Sequence, residues 1–81
     1  MKIKTINLSI HEGNYNRRVK YNDKTEFDVL IVHLQNGFNT RTFQIESRYL
    51  TENDSIHLKF NPETQEVSWS PKSIFSHVVE L

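Results

Sequence analysis

Residues 6–21 read INLSIHEGNYNRRVKY, and how the two halves of this stretch pair decides the fold. Ile6, Leu8 and Ile10 alternate with Asn7, Ser9 and His11, the period of two that marks a half-buried strand. Val19 and Tyr21 alternate in the same way with Arg18 and Lys20. Between the halves lies Gly13-Asn14, a pair suited to a type I′ or II′ hairpin turn. Folded there, Glu12 faces Tyr15, Ile10 faces Arg17, Leu8 faces Val19 and Ile6 faces Tyr21. Directly opposed residues share a face of the sheet. The expected hairpin therefore turns Ile6, Leu8, Ile10, Val19 and Tyr21 inward, with Arg17 at the rim. It turns Asn7, Ser9, His11, Asn16, Arg18 and Lys20 outward.

The alternation continues down the chain. Residues 22–25 form a turn, and residues 26–34 form a strand whose second half, VLIVHL, is apolar on both faces, as in a central strand. Asn36-Gly37 is a second hairpin signal, leading into a strand over residues 40–47. A two-residue loop sets Leu30 opposite Phe43 and a three-residue loop sets Ile31 there; the pattern permits both. A turn at residues 51–54 sets Tyr49 opposite Ile56 and Ile45 opposite Phe60. A four-residue loop at 62–65 sets Phe60 opposite Val67 and Leu58 opposite Trp69. Ser70 is suited to cap a helix with Pro71 as its first residue, and Ile74, Phe75, Val78 and Leu81 then share one helical face. The rival is a strand with Phe75, His77, Val79 and Leu81 inward.

These segments predict a mainly β protein: an antiparallel meander of about five strands, forming a small barrel or a sheet with a short C-terminal helix or a sixth strand. The expected core is Ile6, Leu8, Val19, Val29, Leu30, Ile31, Val32, Phe43, Ile45, Leu58, Phe60, Val67 and Trp69. With 81 residues, the chain is expected to form one domain over 1–81. A chain of this size buries roughly 60% of the surface its unfolded form exposes, so the core is small. There is no alanine, the strongest helix former, while Ile, Val, Thr and aromatic residues are common. High Asn, Ile and Lys without Ala suits an AT-rich genome, such as many phages and low-GC bacteria have.

Chemistry-bearing patterns are sparse. With no cysteine there is no disulfide framework, thiolate site or thiol nucleophile. His11, His33, His57 and His77 are far apart, and no HxH, HExxH or CxxC spacing occurs. No serine stands in a GxSxG or SxxK context. Gly13 and Gly37 are both spent on turns, which leaves no phosphate-cradling loop. Asp28 interrupts an apolar strand and is expected near its end, in water. No catalytic residues, metal or cofactor are expected, and a domain this small has little wall for a site that excludes water. The opening MKIKTINLSI lacks the continuous apolar run of a signal peptide or membrane span, so a cytoplasmic protein is expected, in a host cytoplasm if phage-encoded.

Charge is more informative. The formal net charge is zero, yet residues 1–24 carry six basic side chains against two acidic, and residues 25–81 carry four against eight. Arg18 and Lys20, with Asn16 and His11 beside them, give the hairpin a basic outer face. Exposed strands also carry such residues to block edge-to-edge pairing. For nucleic acid, exposed aromatics should share that face. Tyr21 is expected in the core, while Tyr15 at the turn and Phe38 at the other hairpin tip could be exposed. The leading expectation is a non-catalytic protein-binding module whose partner has an acidic surface, with Arg18, Lys20, His11, Asn16, Tyr15 and Arg17 as the partner-binding residues. Its size and composition suit a phage or mobile-element protein that inhibits a host factor, of anti-defence type. A single-stranded nucleic-acid or RNA-binding barrel is the alternative, and a homo-oligomer joined through strand edges is a third.

Overall fold

The computed structural model describes residues 1–51 and 54–81. Seven strands are formed among them: β1 (Ile3–Ser9), β2 (Asn16–Lys20), β3 (Val29–Asn36), β4 (Asn39–Glu46), β5 (Ser55–Phe60), β6 (Val67–Ser70) and β7 (Val79–Glu80). They make two sheets, one of four strands in the order β1-β3-β4-β7 and one of three in the order β2-β5-β6. The inward side chains of both sheets meet in one core, so the domain is a small sandwich. Among the described residues, helical structure is confined to short 3-10 turns at Lys24–Glu26, Ser47–Tyr49 and Lys72–His77. The chain is mainly β and small, as its alternation predicts.

The expected first hairpin does not form. β1 pairs in parallel with β3, from Ile3 beside Val29 to Ser9 beside Gln35. β2 pairs antiparallel with β5, from Asn16 beside Lys59 to Lys20 beside Ser55. The tight turn is centred on Glu12-Gly13 rather than Gly13-Asn14: the Asn14 N–H donates to the His11 carbonyl at 2.9 Å, and Gly13 has φ +82°. Ile10 N–H then donates to the Gln35 carbonyl, and Phe60 N–H to the Tyr15 carbonyl, both at 2.8 Å. The two halves of residues 6–21 are thus claimed by different sheets. Alternation reports which face a residue takes, and it is the same whether two strands lie side by side or face each other across a core. Leu8, Ile10, Val19 and Tyr21 are accordingly buried and Ile6 half-buried, despite the wrong neighbour.

The same confusion affects Ile45 and Phe60. They are buried in one core, but β4 lies between β3 and β7, and β5 between β2 and β6. The turn expected at 51–54 includes positions outside the described residues. The local hairpin β5–β6 forms as expected, with Leu58 beside Trp69 and Phe60 beside Val67. Its loop is held by the Asn61 side chain, whose Oδ1 accepts from Glu63 N–H at 3.0 Å and Thr64 N–H at 3.4 Å. In β3–β4 neither expected register occurs. Asn36 pairs with Asn39 and Val32 with Phe43, so the loop is Gly37-Phe38. Gly37, at φ +63°, takes the first central position, as a type II′ turn requires. Phe38 is left at the tip, fully exposed.

Past β6, the chain supplies both C-terminal alternatives in miniature. Pro71, not Ser70, precedes the helical turn Lys72–His77, and two-residue β7 follows. Ile74 is fully buried, whereas Phe75 and Leu81 of the expected helical face are exposed. Trp69 meets Phe43 edge-on across the sandwich, with ring centroids 5.4 Å apart. Of the expected core, Ile6, Ile31 and Val67 are only half-buried, and Phe27, Leu34, Leu50 and Ile74 join it.

Candidate protein-docking face

The outer face of the three-stranded sheet is built by alternation. Val19 points inward from β2, which turns Asn16, Arg18 and Lys20 out; Ile56, Leu58 and Phe60 point inward from β5, which turns His57 and Lys59 out. The register sets Asn16 beside Lys59 and Arg18 beside His57. From the other side, β6 adds Ser68 beside Lys59 and Ser70 beside His57. Neighbouring strands lie about 4.8 Å apart, so Arg18, Lys20, His57 and Lys59 form one continuous patch. Arg18 Nε donates to Ser55 Oγ at 3.1 Å, and its Nη2 lies 3.4 Å from Asp54 Oδ2. Ser55 Oγ in turn donates to Asp54 Oδ1 at 3.2 Å, so the guanidinium is tied to this end of β5. The ion pair is exposed and contributes little to stability. Among the described residues, acids stand at the margins of the patch: Asp54 at one end, and Glu66 at the other, in a shallow depression with Lys59, Asn61 and Ser68.

Of the six residues expected to bind a partner, the structure brings Asn16, Arg18 and Lys20 together. His11 sits in the turn after β1, beside Gln35 and Gly37 of the other sheet. Tyr15 is half-buried against Phe60, with centroids 6.4 Å apart. Arg17 is half-buried, and its Nη1 donates to the Ser9 carbonyl. The basic character of residues 1–24 does not converge either. Lys4 belongs to the four-stranded sheet and Lys2 immediately precedes it, and Lys24 Nζ donates to the Leu50 carbonyl at 2.7 Å. His57 and Lys59 are the members that sequence reasoning missed. Their outward direction follows from the alternation of β5; what the pattern lacks is any sign that β5 lies beside β2.

The opposite outer face has a different chemistry. Its rows run Ile3, Val29 and Glu46; Thr5, Ile31, Gln44 and Val79; Asn7, His33 and Thr42; and Ser9, Gln35 and Thr40, with Glu46 as their one Asp, Glu, Lys or Arg. His33 Nδ1 lies 2.9 Å from Thr42 Oγ1. The remaining histidine, His77, stacks on Tyr49 at 3.9 Å, with Arg48 over the same ring at 4.7 Å. Among the described residues, no three His, Asp or Glu side chains converge as metal ligands. Asp28, exposed at the head of β3, accepts the Lys2 N–H at 2.9 Å and acts as a clasp between strands. No helix among the described residues is long and apolar enough to cross a membrane. The chain matches no known family model, no curated protein and no solved structure.

Proposed function

We propose that the protein is a non-catalytic binding module that docks an acidic protein surface on the outer face of its three-stranded sheet. The observation that carries this is the registered patch of Arg18, Lys20, His57 and Lys59, with acids, among the described residues, at its margins. Such a patch gives register and steering to a complementary surface. Aromatics that would stack bases are missing from it: Tyr21 and Trp69 are buried and Tyr15 is packed on Phe60. That favours a protein over a single-stranded nucleic acid. The chain's size and composition suit a phage-borne inhibitor of a host factor.

The test uses the wild-type chain and the Arg18→Glu, Lys20→Glu, Lys59→Glu triple variant as baits in nuclease-treated lysate. All three side chains point to water, where a substitution changes stability by less than about 0.5 kcal/mol. The triple variant is therefore expected to keep its circular dichroism spectrum. The wild type is expected to hold a protein that the variant loses, with an on-rate that falls as salt rises. A partner held equally by the folded variant, or capture seen in a parallel untreated lysate but absent from the nuclease-treated one, overturns the proposal.

A further inference from the structure

The outer edge of β1 is the longest open strand edge among the described residues. β1 is terminal in the order β1-β3-β4-β7, and its ladder partner is β3 alone. The direction of its backbone groups follows from two bonds: Ile10 N–H donates to Gln35 O, and Lys2 O accepts from Val29 N–H. In a parallel ladder alternate residues face the neighbour, so the even-numbered residues of β1 face β3. Ile3, Thr5, Asn7 and Ser9 therefore turn their N–H and C=O groups to the open side. The Ser9 carbonyl already accepts from Arg17. What remains is a row at Ile3, Thr5 and Asn7, with Ile3 60% exposed.

We propose that this edge pairs antiparallel with the same edge of a second copy, centred on Thr5. A two-fold pairing must set odd residues opposite odd ones, because only they present free groups. Centring on Lys4 opposes the two Lys4 side chains. Centring on Ile6 or Asn7 requires the Ser9 carbonyl that Arg17 occupies. Centring on Thr5 uses only free groups: Ile3 pairs with Asn7, Thr5 with Thr5 and Asn7 with Ile3. Each such pair exchanges two hydrogen bonds. Lys4 then lies opposite Ile6 and Lys2 opposite Leu8, so no like charges meet. The lysine that would guard a free edge thus selects one register. The product is a continuous sheet across both copies, and its two-fold axis, perpendicular to the sheet, sets both basic faces on the same side.

The test is molar mass by light scattering over a range of concentration, with amide exchange on the same samples. The wild type is expected to reach twice the chain mass. Thr5→Pro removes an N–H that does not face β3, a substitution that edge strands tolerate. It is expected to retain its β-spectrum and to halve the mass. In the wild type, the Thr5 and Asn7 amides are expected to gain protection as concentration rises, while Ile6 and Leu8 stay protected throughout. A wild type of single-chain mass at every concentration overturns the proposal, as does a Thr5→Pro variant that remains double. If Thr5→Pro fails to fold, the exchange pattern decides: Thr5 and Asn7 amides that stay unprotected at the highest concentration overturn it.

Discussion

Arg17 and Arg18 are neighbours in sequence and opposite in role. Arg18 lies on the outer face over Ser55, while Arg17 is half-buried and satisfies the Ser9 carbonyl across the gap between the sheets. A hydrogen bond from a charged donor contributes about 1.5–3 kcal/mol, and removing the donor leaves its acceptor without that partner. Arg17→Glu is therefore expected to lower stability by about 1–3 kcal/mol in denaturant titration, with Arg18→Glu near zero. Equal losses at the two positions would show that the sheet faces have been assigned wrongly. The sequence already separated these arginines, since alternation from Val19 puts Arg17 at the rim and Arg18 in water. It could not supply the Ser9 carbonyl, because that contact depends on the strands lying in different sheets.

At the scale of elements, two-residue β7 is fastened by a side-chain ion pair as well as by its ladder. Arg41 Nε and Nη2 donate to the two carboxylate oxygens of Glu80, each at 2.7 Å, and Arg41 Nη1 donates to the Gln65 carbonyl at 2.5 Å. These bonds hold the Glu80 carboxyl below the usual carboxylate range and raise the Arg41 guanidinium. A carboxyl with a lowered folded-state pKa stabilises above its unfolded value, and that contribution is lost as pH falls through the folded one. Acidification is expected to release β7 from β4 with a midpoint below that of an ordinary glutamate. Amide shifts of Val79 and Leu81 would follow it; an unchanged pairing at full protonation of Glu80 would show that the ion pair does not hold the strand. Local elements such as the β5–β6 hairpin were legible because one loop and two alternations fix their register. The parallel β1–β3 pair was not, since nothing in residues 3–9 names a neighbour beyond the nearest turn. The candidate docking face was half legible for the same reason, with β2 readable and β5 invisible beside it.

The whole molecule shares one core, and Trp69 reports on it from the junction of the two sheets, against Phe43. Heating is expected to give one transition, with Trp69 fluorescence and far-UV circular dichroism coincident. Separate midpoints would show that the sheets melt independently. Leu58→Ala, at the centre of that core, is expected to cost about 2–5 kcal/mol by both probes. The topology also sets a timetable. Hairpins β3–β4 and β5–β6 are local, and such units form in about 1–10 μs. Strands β1 and β2 each complete one of these hairpins, and they reach across long stretches of chain to do so, Ile3 to Val29 and Asn16 to Lys59. Loop closure must precede those contacts, which places all-β topologies of this kind in the ms–s range. Residues 3–20 are thus expected to be the last committed: a single leading segment that staples two prefabricated hairpins into one body.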